Sequence, residues 1–359
     1  MPEETPLQTK QELPVLTCPH CRIALHIDDS IILCPECNSR ASIQAGINNF
    51  FVSGKFSAAQ SDPPLNDFNR IASTQGWQTA AEKIASNSPN PVHLLEYITS
   101  EARADFRFLL PVTQEDIVLD VCGGWGNITA AFARTCKHVF SLDSSWDKMV
   151  FSSIRSSQQG LDNITYLHAH PALIPLPQAS CQIAVLADTL ECGFWQEAAT
   201  NSQTNHPQIL SSIRDKLVPG GCLYLGIENR YSYKYLLGGK APPSNLRFIS
   251  LLPRSLANRY SQLLRDVDYQ EVAYSLGGIT NLLRQAGFSN LKVYYPIPAY
   301  PKFRFLADLN SKAATALMIS RLRVHLGFNR SLYLFSKIAS ALGILPWFAP
   351  GFSIFAYKE

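Results

Sequence analysis

Two short, mainly apolar runs, Ile117-Val118-Leu119-Asp120-Val121 and His138-Val139-Phe140-Ser141-Leu142, are closed by a glycine cluster and an acid respectively. Apolar runs of this length bounded by turn residues predict strands buried on both faces, as in a parallel sheet. A helix is predicted from near Ile128, giving a strand, a glycine turn and a helix in succession. Upstream, apolar positions recur at helical spacing from Trp77 to Ile84 and from Val92 to Leu110. Near the end, Leu332 to Leu342 has helical spacing and stops at Gly343, and Phe352 to Tyr357 reads as a short strand. The segment Ser57 to Asn66, polar and carrying Pro63-Pro64, predicts a linker. The pattern is that of an α/β protein.

At 359 residues the chain is long enough for one large domain and a smaller one. Its net charge of +3 is too small to announce a nucleic acid by itself, but the distribution is uneven. The first forty residues lean acidic, whereas Lys292, Lys302, Arg304, Lys312, Arg321, Arg323, Arg330 and Lys337 face only Asp308. This late basic run is either a solvated face or a surface for an anionic substrate, a lipid surface or RNA. The stretch Leu332 to Ala356 is interrupted by Lys337, Pro346, Pro350 and Gly351, so no transmembrane span is expected and at most a peripheral membrane contact. The absence of a signal-peptide pattern and the scattered cysteines predict a cytoplasmic protein.

Four of the nine cysteines form two C-x-x-C knuckles, Cys18-Pro19-His20-Cys21 and Cys34-Pro35-Glu36-Cys37, separated by the strand-rich segment Ile23 to Leu33. A hairpin between such knuckles brings four sulfurs into the tetrahedron that zinc prefers, and four protein ligands leave no open position. The expectation is a structural zinc on Cys18, Cys21, Cys34 and Cys37, with His20 outside the site. This ribbon, followed by Gly46-Ile47-Asn48-Asn49-Phe50-Phe51, resembles the short zinc ribbons found in front of some S-adenosylmethionine (SAM) methyltransferases.

The first strand runs into Cys122-Gly123-Gly124-Trp125-Gly126, where missing side chains let backbone amides approach a ligand at the carboxyl edge of a sheet. The second strand ends at Asp143, at the spacing where an acid commonly holds ribose hydroxyls. No Gly-Lys-Ser or Gly-Lys-Thr follows, which disfavours a phosphate loop, while a dinucleotide fold shares these features. The segment Val118 to Gly126 resembles motif I of class I SAM-dependent methyltransferases. The order downstream is similar too: Ile183 to Ala187 resembles the fourth strand, Asp188-Thr189-Leu190-Glu191 its active-site end, and Leu217 to Leu225 the turn and fifth strand. Ser275 to Phe288 resembles the helix and turn before the sixth strand, Leu291 to Tyr295. The resemblance implies a Rossmann-like seven-stranded sheet with helices on both faces, and SAM held by Asp120, Cys122, Gly123, Gly124, Gly126, Asp143, His170 and Asp188. Three positions depart from the family pattern: Cys122 replaces the first motif glycine, Ala169-His170 stands where many relatives have Gly-Asp, and Gln182 replaces an aspartate.

The domain expectation is a zinc ribbon at 1–56, a linker and helices at 57–110, and a methyltransferase domain at 111–359. Within the last, 227–273 is an insertion placed to wall the acceptor pocket, and 300–359 is a helical segment with the final strand. Its tyrosines, Tyr231, Tyr233 and Tyr235, suit stacking on a sugar or aromatic ring. Ile227 to Gly238, Ile249 to Arg254 and Tyr295 to Pro298 resemble a bacterial methyltransferase subgroup of surface-polysaccharide synthesis. That resemblance implies a small hydroxylated acceptor, such as a glycosyl or natural-product intermediate, with Glu191 and His170 as candidate bases by location. The competing expectations are an rRNA or tRNA methyltransferase that docks RNA through the ribbon, and a non-catalytic interaction protein on the same fold.

Overall fold

The structure, a computed structural model, describes residues 13–51, 63–187, 206–241, 244–269, 271–298, 303–308 and 330–359, together with 190, 300, 311 and 313. It begins with four short strands, β1 (His26–Asp28), β2 (Ile31–Leu33), β3 (Arg40–Gln44) and β4 (Ile47–Asn49), paired antiparallel in sequence order. Three helices follow, α1 (Pro63–Gln75), α2 (Trp77–Ser86) and α3 (Pro91–Thr99). Where the sequence predicts a linker through Asn66, Pro63-Pro64 instead opens α1. Proline is compatible with a first helical turn, whose N–H groups have no intrahelical acceptor. The predicted helix Val92 to Leu110 breaks at Ser100 into α3 and a 3-10 segment, Glu101–Leu109. The carbonyls exposed at the break are taken by side chains from elsewhere: Arg155 donates to Ile98 O and Thr99 O, and Asn127 Nδ2 to Tyr97 O and Ser100 O.

The central part alternates strand and helix: β5 (Ile117–Val121), α4 (Asn127–Ala133), β6 (His138–Asp143), α5 (Trp146–Gln158), β7 (Ile164–His168), β8 (Cys181–Ala187), α6 (His206–Lys216) and β9 (Leu217–Glu228). After β9 come α7 (Tyr233–Leu236), the small hairpin β10 (Lys240–Ala241) and β11 (Leu246–Arg247), and α8 (Arg254–Arg265). The chain then runs through α9 (Leu276–Gln285), β12 (Asn290–Pro298), β13 (Phe303–Asp308), α10 (Arg330–Ala341) and β14 (Gly351–Tyr357).

Twelve strands share one sheet in the order β1-β2-β3-β4-β7-β6-β5-β8-β9-β14-β12-β13. From β4 to β9 every neighbouring pair is parallel, and β14 lies antiparallel to both β9 and β12. The run β7 to β12 is the expected seven-stranded Rossmann-like sheet. The four ribbon strands extend it at one edge and β13 at the other. Alternate residues of β5 feed two cores: Ile117, Leu119 and Val121 face the cluster with α6 and α9, and Val118 faces the one with Phe106, Phe132 and Tyr224. The parallel strands reverse direction of travel across the sheet between β5 and β8, the position where open α/β folds hold ligands outside the carboxyl ends. Among the described residues no helix is long and apolar enough to cross a membrane.

Candidate functional site

The turn after β5 is built from positive-φ residues. Cys122 has φ 66°, Gly124 φ 51° and Gly126 φ 76°. The N–H groups of Cys122 and Gly123 donate to Leu142 O at 2.6 and 3.2 Å, which ties the turn to the end of β6. The glycines have different neighbours. A Cβ on Gly123 would collide with Ser141 and Thr129 and one on Gly126 with Ser152, whereas one on Gly124 would come no nearer than 3.6 Å to Cys122 O. Gly123 and Gly126 are therefore small for the sake of the fold, whereas among the described residues Gly124 has room for a Cβ. Cys122 holds a left-handed conformation that glycine adopts without strain. Its half-buried side chain packs on the main core, which is how the fold accommodates this departure from the family pattern. Gly126→Ala is expected to cost about 2–4 kcal/mol from left-handed strain plus overpacking. Chemical denaturation reads that loss.

Asp143, at the end of β6, accepts from Gly124 N through Oδ2 and from Ser145 N through Oδ1, each at 2.8 Å. Asp120 lies beneath the turn, 1% exposed, and accepts from Thr129 Oγ1 at 2.5 Å. Burial pushes its carboxyl up to about 6, helped by the negative Asp143 and opposed by the Thr129 hydrogen bond and by Arg103. Asp143 thus borders the turn, while Asp120 props it from inside the sheet. Asp188 and Glu191 lie outside the described residues; their neighbour Leu190 is buried.

His170, just past β7, is 6% exposed, and its Nδ1 accepts from Ala172 N at 3.2 Å. Burial lowers its pKa, so the ring stays neutral. With Nδ1 engaged as the acceptor, Nε2 carries the proton. His168, which sequence reasoning passed over, ends β7 with Nε2 donating to Ser144 O at 3.1 Å and Nδ1 2.9 Å from Asn49 Oδ1. It therefore joins the ribbon strand β4 to the residue next to Asp143. Gln182 Oε1, at the family's aspartate position, accepts from Ile117 N at 2.8 Å and so serves the sheet.

The four ribbon cysteines place their sulfurs within 4.8 Å of one another, an arrangement able to hold a metal ion. Both knuckles close alike. Arg22 N donates to Cys18 O and Asn38 N to Cys34 O, and both Arg22 and Asn38 have positive φ. Cys18 and Cys34 are buried and Cys37 is exposed. The thiols act on one another: the Ser39 hydroxyl, 3.0 Å away, is the main cause that brings Cys37 down to about 6, whereas the hydrogen bond with Cys37 pushes Cys21 up to about 12 and burial raises Cys18.

A second polar region lies beyond β9. Glu228, Asn229, Arg230, Tyr235, Ser250, Tyr269 and Glu271 line a small, half-open cleft. Tyr235 donates to Glu228 Oε2, and Lys234 Nζ lies 3.4 Å from Oε1. Of the three tyrosines expected to stack on an acceptor, Tyr235 lines the cleft, Tyr231 is 38% exposed and Tyr233 is half-buried.

Residues 118–221 match the methyltransferase domain family, so the chain carries a methyltransferase domain. No curated protein sequence matches it. Among solved structures it is similar to phosphoethanolamine N-methyltransferase 2 of Haemonchus contortus (15% identity, TM-score 0.44), covering 82% of this chain and 60% of that one. A possible histamine N-methyltransferase of Thermotoga maritima is 15% identical, with TM-score 0.42, over 82% of this chain and all of the other. A SAM-dependent methyltransferase of Mesorhizobium loti is 16% identical, with TM-score 0.44, over 72% and 98%. The chain thus spans less than two thirds of the length of the nematode enzyme.

Proposed function

We propose that this chain transfers a methyl group from SAM to a small hydroxylated acceptor, of the glycosyl or natural-product kind. One observation carries the reading: within a matched methyltransferase domain, Gly124 N donates to the Asp143 carboxylate at 2.8 Å, at the point where the strand order reverses. In this reading the methionine part of SAM lies along the turn, the ribose hydroxyls donate to Asp143, and the adenine reaches toward His170. The sulfonium supplies an activated methyl for in-line displacement, so the protein's task is alignment and proton removal. His170 belongs on the adenine side, since its one acceptor nitrogen is already used. Asp188 and Glu191 stay in the proposal as residues of the β8 end.

The ribbon fits a structural zinc. With Zn–S bonds of about 2.3 Å, the sulfurs of a tetrahedral site lie about 3.8 Å apart, and Cys18 Sγ and Cys37 Sγ are 3.7 Å apart. Four sulfur ligands complete that coordination sphere, so Cys18, Cys21, Cys34 and Cys37 would stabilise the fold and leave the metal no catalytic role.

Calorimetry with SAM and its demethylated product tests the cofactor, and label transfer from methyl-labelled SAM into small-molecule and RNA fractions of the source cells tests the acceptor. Micromolar binding of SAM and label in a small molecule are expected. No binding at millimolar SAM overturns the methyl-donor reading. Label confined to RNA overturns the acceptor class.

A further inference from the structure

The cleft beyond β9 contains buried polar atoms that no described residue satisfies. Ser250 is 4% and Glu271 7% exposed, yet among the described residues Ser250 Oγ and Glu271 Oε2 have no hydrogen-bond partner, and neither has the buried Arg230 Nε. Buried polar atoms without partners are costly and rare, and several around one cleft mark a place where a ligand completes the bonding. The surrounding groups are held firmly. Glu271 Oε1 accepts from Ser244 N at 2.7 Å, Arg254 donates to Glu271 O at 2.6 Å, and Arg230 donates to Leu252 O at 2.7 Å.

Position agrees with chemistry. Gly226 pairs with Ala187, the last residue of β8, and Glu228 stands two residues further out on β9. With strands spaced about 4.8 Å apart, β9 lies about 10 Å from β5 across the sheet. The cleft therefore opens at the carboxyl end of the sheet, on the side of the glycine turn toward which a bound methyl donor would extend. Its lining combines acids (Glu228, Glu271), a cation (Arg230), a hydroxyl (Ser250) and two tyrosines. This mixture of donors and acceptors around two rings fits a neutral polyhydroxylated ligand better than a strongly charged one.

Resting on the proposed methyl donor, we infer that this cleft receives a polyhydroxylated acceptor and that Glu271 takes the proton from the hydroxyl being methylated. Ser250 Oγ and Arg230 Nε hold neighbouring hydroxyls. As the acceptor oxygen bonds to the methyl carbon, the carbon–sulfur bond breaks and its electron pair stays on sulfur. The hydroxyl proton passes to Glu271 Oε2 and from there to solvent.

The experiment uses the full-length protein, methyl-labelled SAM and the small-molecule extract of the source cells. Glu271→Gln is expected to bind SAM like the wild type and to lower turnover at least 100-fold. Burial raises the Glu271 carboxyl above the usual range, opposed by Ser244, Tyr269 and Arg265. The other charged groups around it are Arg230 and Glu228, which line the same cleft, and Arg254, which bonds the Glu271 carbonyl. The wild-type rate should therefore fall as pH drops through a value above that of an ordinary glutamate, and the variant should lose this acid limb. Ser250→Ala, which keeps the carboxylate, should raise KM for the acceptor several-fold with little change in kcat, and it decides the matter if the glutamine variant fails to fold. The inference is overturned if Glu271→Gln turns over at the wild-type rate, if Ser250→Ala has no effect on KM, or if protein that binds SAM labels no small hydroxylated compound. Failure of the wild type to bind SAM at all is a different result, which removes the methyl donor itself.

Discussion

Asp143→Ala is expected to weaken SAM binding at least tenfold while the sheet remains folded. The carboxylate stands at the end of β6 with one oxygen on Gly124 N and the other on Ser145 N. Each oxygen keeps a lone pair for a ribose hydroxyl. Hydrogen bonds to a charged partner contribute about 1.5–3 kcal/mol, so losing even one corresponds to a factor of ten or more. The variant also frees Gly124 N, loosening the turn against which the methionine part is proposed to lie. Gly124→Val separates the two effects, because it leaves Asp143 in place and puts a branched side chain where the backbone is proposed to approach the cofactor. Among the described residues its Cβ meets nothing closer than 3.6 Å, so the penalty to the fold expected there is a strained φ of 51°. Calorimetry should show no SAM binding to Gly124→Val and weakened binding to Asp143→Ala. Wild-type affinity in either variant would show that the cofactor sits elsewhere.

The strands around that turn were legible because their chemistry is local. An apolar run, a glycine cluster and a terminal acid identify β5, its turn and β6 from a few consecutive residues. The helix break at Ser100 was not legible, because its causes, Arg155 and Asn127, come from α5 and α4. Side chains donating to Ile98 O, Thr99 O, Tyr97 O and Ser100 O make the interruption tolerable, and no feature of residues 92–110 announces them. The cleft beyond β9 was not legible: the tyrosines after the fifth strand are visible in the sequence, but Glu271 and Ser250 stand out only because atoms of theirs lack partners among the described residues. That property exists only once the chain is folded.

The attachment of the ribbon also depended on the fold. The knuckle spacing identifies the four cysteines, and as a separate module the ribbon would be indifferent to the cofactor, so that Cys34→Ser would leave SAM binding intact. The sheet joins them instead. Ile47, Asn48 and Asn49 of β4 pair with Tyr166, Leu167 and His168 of β7, and Asn48 Nδ2 adds a bond to Tyr166 O at 3.0 Å. Ile47 is fully buried against Met149 and Tyr166, and Cys18 and Cys34 belong to the same core as Leu119 and Leu142. Asn49 and Phe51 flank His168, which donates to Ser144 O beside Asp143. Structural zinc in small domains contributes about 10–16 kcal/mol of binding free energy, available only when the ligands are folded. Chelating the proposed zinc, or Cys34→Ser, is therefore expected to release β1 to β4 as a unit and expose the edge of β7. Hydrogen exchange should show lost protection at Ile47 to Asn49 and onward into Tyr166 to His168. SAM affinity should fall about three- to tenfold, because Ser144 and Asp143 lose the support of His168, a loss of about 0.7–1.4 kcal/mol. A preparation without metal that keeps β7 protected and binds SAM as before would show that the ribbon rests on the sheet edge without supporting the site.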